Sequence, residues 1–187
     1  LYYDKAKAFC EEMKKLTGLN VYPVDSLEKA VRDCDIVSIA ASGAAKVQLQ
    51  DAWIKPGAVI ELTGMAELSE DCYINNRVVM DNWKMHEEWL DELREHPEKI
   101  GSVNSGHPSD SLLKLILEDR KQTDDIVSLG EIIEHPEQGR KNDQETIIFL
   151  TGGMAVEDVA WGWDCYQQAL KQGIGQKLKL WDKPHWA

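Results

Sequence analysis

Short apolar runs alternate along the chain with stretches of helical periodicity. Residues 1–3, Leu-Tyr-Tyr, read as a short strand. Residues 5–16 form a helix, with Ala6, Phe9, Cys10 and Met13 at spacings of three and four and Lys and Glu on the other face. Thr17-Gly18 stops it. Residues 21–24 read as a second strand, and Asp25-Ser26-Leu27-Glu28 opens a helix reaching 33. Residues 36–41, Ile-Val-Ser-Ile-Ala-Ala, are nearly all apolar and too few for a helix, so they read as a strand buried on both faces. The same reading covers 58–62, after the turn Lys55-Pro56-Gly57, then 77–80 before Asp81, and 145–150.

Between and after these runs lie the other helices. Residues 82–96 place Trp83, Met85, Trp89 and Leu93 on one side. Residues 97–109 are loop, 110–119 a short Leu-rich helix, and 126–133 a broken helix or turn because of Gly130. Residues 135–143 are polar turn. Thr151-Gly152-Gly153 is a tight turn, and 154–171 is the longest helix, ended by Gly173 and Gly175. Strands of four to six residues alternating with helices predict an α/β fold, a doubly wound parallel sheet.

Composition narrows the function classes. The 187 residues are 43% hydrophobic and 29% charged, which permits a real core. The formal charge of −12 argues against nucleic acid or an anionic membrane as a partner. No run approaches the roughly 20 apolar residues of a spanning helix, and no signal peptide opens the chain. Cys10, Cys34, Cys72 and Cys165 are scattered without a C-x-x-C pair, so no metal site is expected and a reducing cytoplasm is. His86, His96, His107, His135 and His185 show no metal-ligand spacing and read as surface or turn residues. Trp161 and Trp163 read as core packing, or one of them as a domain contact. The apolar opening at Leu1 suggests a chain cut in mid-fold.

Four places could carry chemistry. Asp4, between an apolar run and a helix, fits the acid that binds ribose hydroxyls in a dinucleotide-binding βαβ unit, and equally a helix N-cap. The glycine fingerprint that should precede it by about 20 residues is absent from the chain. Ala41 and Ser42 follow the strand at 36–41, and Gly64 and Met65 follow the strand at 58–62. Small residues there let a flat ring or a phosphate come close, or simply make turns. Thr151, Gly152 and Gly153 separate a strand from a helix whose N-terminus carries partial positive charge.

Six motifs occur in order: Asp35-Ile36-Val37, Trp53-Ile54-Lys55-Pro56-Gly57-Ala58, Gly64, Val78-Val79-Met80-Asp81, Leu129-Gly130-Glu131-Ile132 and Gly153-Met154-Ala155-Val156-Glu157-Asp158. Together they resemble the ornithine cyclodeaminase/mu-crystallin family, from Leu1 to about Gly173. The resemblance implies a Rossmann-type sheet, incomplete at its N-terminus. Residues 1–172 would be a partial NAD(P)-binding domain, and 173–187 a tail returning to an absent substrate and dimerisation domain. It implies an NAD-dependent oxidoreductase acting on the C–N bond of an amino or imino acid, homodimeric at full length. The alternatives are a cyclodeaminase-like lyase and a non-catalytic binding protein of the mu-crystallin type. Cofactor-binding residues would be Asp4, Ala41, Ser42, Gly64, Met65, Thr151, Gly152 and Gly153, with NAD favoured over NADP by the charge of Asp4. Asp158 matches the family's helix acid. Catalytic residues are not assigned. Where cyclodeaminases carry Gly-Asp with an acid/base Asp, this chain has Gly64-Met65-Ala66, which disfavours cyclisation. Lacking the glycine loop, the 187 residues alone are expected to bind nucleotide weakly.

Overall fold

The computed structural model describes residues 2–42, 45, 47–96 and 107–179. It divides into two compact units, Leu1–Gly152 and Gly153–Ala187. The first is built on a five-stranded, wholly parallel sheet. Its strands are β1 (Ile36–Ile39), β3 (Val59–Leu62), β5 (Arg77–Met80), β6 (Ile126–Ser128) and β7 (Ile147–Leu150), in the order β1-β3-β7-β5-β6. Two further strands, β2 (Val47–Gln48) and β4 (Ala66–Glu67), pair in parallel as a separate ribbon that the sequence pattern does not announce.

The α/β sheet expected from the alternating runs is therefore present, and three of its strands fall where the apolar runs put them. One sheet face carries Val37, Ile39, Ile60, Leu62, Ile148, Leu150, Val78 and Met80. These pack against α2 (Leu27–Val31) through Val31, α3 (Glu70–Asn75) through Cys72 and Tyr73, α4 (Trp83–Glu95) through Leu90 and Leu93, and α5 (Asp110–Leu117) through its leucines. Each Leu or Ile taken fully out of water here contributes roughly 2 kcal/mol relative to exposure. The opposite face bears a row in register, Ser38, Glu61, Phe149, Val79 and Val127, running from exposed at β1 to buried at β6.

Several expectations are corrected. Tyr3 does not end a strand but begins α1 (Tyr3–Thr17), because the Tyr2 carbonyl accepts from the Lys5 and Ala6 amides at 3.0 and 3.1 Å and starts the helical ladder. Asp4 consequently sits in the first turn of α1 and is not a strand-end acid. Residues 21–24 are not a strand: no neighbour pairs with them among the described residues, and the Val21 amide turns back to the Leu19 carbonyl. β1 is shorter than predicted and buried on one face only. It is the edge of the described sheet, so Val37 and Ile39 face the core while Ile36 is 69% exposed.

The stretch 126–133 is neither a broken helix nor a turn. Ile126 and Val127 pair with β5, and Ser128 then opens α6 (Leu129–Glu134), where the Glu131 side chain reaches back to the Ser128 amide. In α4 the buried stripe is Trp83, His86, Leu90 and Leu93, and Met85 is exposed. The steps of three, four and three include His86, so this histidine is a core residue and not a surface one. The second unit contains α7 (Ala155–Gln172), on which Trp161 and Trp163 are both exposed, contrary to the core reading. Trp181, Trp186 and most of the expected 97–109 loop lie outside the described residues. Among the described residues no helix is long and apolar enough to cross a membrane.

Candidate functional site

In a parallel α/β sheet the loops that follow the strands collect at one edge, where ligands bind. Here β1, β3, β7 and β5 end beside one another at Ile39, Leu62, Leu150 and Met80. The structure brings Ala41, Gly64, Met65, Thr151 and Gly152 to this edge. The Gly64 amide donates to the Ile39 carbonyl at 2.7 Å, and the Met65 amide to the Ala41 carbonyl at 2.8 Å. This seats Gly64 directly on the Ala41 backbone: a Cβ at Gly64 would lie 2.3 Å from the Ala41 nitrogen. The Ser42 carbonyl accepts from the Ala45 amide and closes the turn after β1. Gly153, with φ +78°, opens the second unit. No described hydrogen bond or ion pair joins Asp4 to this edge.

At the end of β3 stands a carboxylate that the sequence reading passed over. Glu61 accepts the Ser38 hydroxyl at 2.5 Å through Oε2, and the Thr63 and Thr151 hydroxyls through Oε1, the latter at 3.0 Å. Burial pushes this carboxyl up, but the hydroxyls from Ser38, Thr63 and Thr151 outweigh it and hold Glu61 below the ordinary range. The two threonine oxygens lie 2.9 Å apart, so three strands meet on one ionised group. A lone acid in Val-Ile-Glu-Leu was the available signal.

Asp81, at the end of β5, is the second such group. One of its oxygens accepts the Asn82 amide and the other the Gly152 amide, both at 2.8 Å, clasping the end of β5 to the end of β7. Beside this clasp lies a ring cluster. His86 stacks on Trp83 with an interplanar angle of 5°, and its Nδ1–H donates to the Asn82 carbonyl at 3.2 Å. Burial lowers the pKa of His86, the nearby His107 lowers it further, and this outweighs the helpful bond to Asn82. His107 packs 5.6 Å from His86 and edge-on to Trp89 at 6.0 Å, ring centre to ring centre. Its Nδ1 accepts the Ser109 amide at 3.2 Å and lies 2.7 Å from the Ser109 hydroxyl, which is fully buried. The sequence gives one clue to His107, the His-Pro-Ser-Asp turn that opens α5.

Two cavities open at this edge. The larger, about 760 Å³, runs along β1 and α2, and its described lining, which includes Tyr2, Ser38, Ala40 and Ala41, is uncharged. That volume is within the usual span of small-molecule sites, about 300–1,000 Å³. Its alanine walls suit a flat, uncharged ring and offer no cation for a pyrophosphate. The smaller, about 120 Å³, is lined by Met65, Ala66, Glu67, His107 and Asp110 among others. Among the described residues no three His, Cys, Asp or Glu side chains come together as a metal cage.

The model of the ornithine cyclodeaminase/mu-crystallin family matches residues 3–173. The chain is similar to the Delta(1)-pyrroline-2-carboxylate reductase of Bacillus cereus, 27% identical over 187 residues that cover 95% of this chain and 50% of that protein. It is also similar to the N-((2S)-2-amino-2-carboxyethyl)-L-glutamate dehydrogenase of Staphylococcus aureus, at 23% identity over 87% of this chain and 43% of that protein. Among solved structures, an archaeal alanine dehydrogenase dimer with bound NAD superposes with a TM-score of 0.68 at 22% identity, covering 96% of this chain and 51% of that one. The Delta(1)-pyrroline-2-carboxylate reductase of Thermococcus litoralis, in complex with NADH and L-proline, gives 0.67 at 24% identity, covering 94% and 50%. At these identities the structural matches show a shared fold. The chain spans about half the length of the curated relatives it matches.

Proposed function

The chain belongs to the ornithine cyclodeaminase/mu-crystallin family, and we propose that it forms the dinucleotide-binding part of an oxidoreductase acting on the C–N bond of an amino or imino acid. The observation that carries this reading is the strand-end edge itself, where Gly64 sits on the Ala41 backbone and Ala41 lines the groove along β1. When bound, NADH supplies a hydride to an imine carbon, and NAD accepts one from an amine carbon. The small side chains of Ala40 and Ala41 leave room for a flat ring against the backbone. Glu61, ionised at neutral pH, accepts hydrogen bonds from the Thr63 and Thr151 hydroxyls, so their oxygens are left to accept from a carboxamide or a ribose hydroxyl.

Asp4, two residues beyond the groove-lining Tyr2, would repel a 2′-phosphate and favour NAD over NADP. Ser42, Met65 and Gly152 complete the proposed cofactor contacts. The turn after β3 offers Met65 and Ala66, with no carboxyl, so cyclising chemistry is not part of this reading. The four cysteines are free thiols, in keeping with a cytoplasmic enzyme. We take the full-length enzyme to be a homodimer.

The test is calorimetric titration of the protein at its full natural length with NAD and NADP separately, followed by NADH oxidation with cyclic and open-chain imino acids. NAD is expected to bind more tightly and an imino acid to be reduced. Binding of neither dinucleotide would refute the oxidoreductase reading and leave a ligand-binding protein. Tighter binding of NADP would remove Asp4 from the site.

A further inference from the structure

The cavity beside Met65 contains an imidazole able to carry a proton to a substrate. His107 Nδ1 is occupied as an acceptor by the Ser109 amide, so the neutral ring carries its proton on Nε2. Nε2 has no hydrogen-bond partner among the described residues. It points at Gly152, lying 2.9 Å from where a Cβ on that residue would be, so the missing side chain makes the space the ring occupies. His107 and Met65 line the same cavity, just beyond the end of β3. His107 therefore stands between the ends of β3 and β7, over the edge assigned above to the cofactor.

We propose that His107 is the proton donor of the reduction, an inference that rests on the oxidoreductase reading. The imidazolium Nε2–H bond breaks and an N–H bond forms at the imine nitrogen, while the imine carbon receives the hydride of NADH. The C=N double bond becomes a single bond, and NAD is left with a neutral His107 whose remaining proton is on Nδ1 and is donated to the Ser109 hydroxyl in place of the bond from the Ser109 amide. In amine oxidation the same nitrogen takes the proton back. Asp81 at the end of β5, Glu67 on β4, Asp110 on α5 and His86 on α4 stand around the ring.

The experiment uses the protein at its full natural length, with H107N and H107Q. Asn can keep the acceptor for the Ser109 amide and lacks Nε2, so it separates the turn from the proton. Reduction of Δ1-pyrroline-2-carboxylate by NADH is followed across pH, and the histidine ring signals are followed by NMR as L-proline is added without cofactor. We expect kcat to fall about 100-fold or more in both variants with KM within about threefold. In the wild type, kcat for reduction falls as pH rises, and this limb vanishes in H107N. The wild-type His107 signal moves with L-proline. A folded H107N that keeps the wild-type rate and pH profile, or a His107 signal indifferent to L-proline in an enzyme that does reduce the imine, overturns the proposal alone. A wild type that reduces no imino acid overturns the functional reading, and this inference with it.

Discussion

Replacing Gly64 with Ala adds one methyl group at the point where β1 and β3 hand over to the site. Gly64 does not have a positive φ, so alanine is compatible with its backbone and any effect comes from contact. The new Cβ would lie 2.3 Å from the Ala41 nitrogen, 2.4 Å from the Ala41 oxygen and 2.8 Å from the Ala40 carbonyl carbon, where real Cβ atoms keep at least 3.0 Å. All three neighbours are backbone, so no rotamer change relieves the clash. Overpacking of this kind costs about 1–3 kcal/mol. Separating the two segments also weakens the Gly64–Ile39 and Met65–Ala41 hydrogen bonds, each worth about 1 kcal/mol. The expected loss is about 3 kcal/mol, and the assay is urea unfolding of the 187-residue chain by tryptophan fluorescence. At an m-value of about 2 kcal/mol/M the midpoint falls by about 1.5 M with an unchanged slope. Gly130→Ala is the control: it lies in α6 with nothing within 4 Å, and it should gain about 0.5–1 kcal/mol from helix propensity. A Gly64→Ala protein within about 0.5 kcal/mol of the parent, or a Gly130→Ala protein destabilised as much, would refute the close-approach argument.

Three further outcomes follow from the described contacts. The Glu61 carboxyl is held below its ordinary range, so its stabilisation is complete above the unfolded-state pKa of about 4.3 and is lost as pH falls through the folded value. Wild type should therefore lose its margin over Glu61→Gln only in that acid window; an equal difference in Tm at every pH from neutral downward would contradict this. Ser128→Ala removes the acceptor of the Trp83 amide and the cap of α6, and should cost about 1–2 kcal/mol in the same urea assay, with no loss counting against the cap. Arg77→Met strands the half-buried Glu145 carboxylate and releases the Gln138 carbonyl, and should cost about 1–3 kcal/mol. A double-mutant cycle with Glu145→Gln should show coupling between the two, and full additivity would mean the pair contributes nothing.

The strands at 58–62, 77–80 and 145–150 were legible because a strand enclosed by a sheet is an apolar run bounded by turns. The runs at 1–3 and 21–24 look the same in sequence, yet a strand is completed by its neighbours, and lateral pairing is not written in the run itself. The stretch 126–133 was misread by giving Gly130 more weight than the Ser128–Glu131 box. Gly130 costs α6 about 0.5–1 kcal/mol relative to alanine, and the cap offsets this by satisfying an amide at the helix start. The small residues of the strand-end edge were found because backbone approach demands them, as Gly64 shows. The polar groups were missed for a different reason. Glu61 is one acid in an apolar strand, and its role depends on hydroxyls from β1 and β7 that only the register brings together. His107 meets Met65 and Gly152 only through the strand order, and His86 counts as core only once the true phase of α4 is known.

The strand order also has a consequence for how the protein is made. β7 follows β1, β3, β5 and β6 in the chain, yet it lies between β3 and β5 and is hydrogen-bonded to both along its whole length. While the polypeptide emerges from the ribosome, the earlier strands can form only two separate parallel pairs, β1 with β3 and β5 with β6. Each pair presents an unfilled apolar edge until Ile148 and Leu150 arrive and are completely enclosed. Final assembly is thus an insertion near the end of translation of this unit, between partners far away in sequence, a topology that folds slowly. A nascent chain interrupted before residue 147 would hold two half-sheets with no means of joining them, the form in which this protein is most in need of a chaperone.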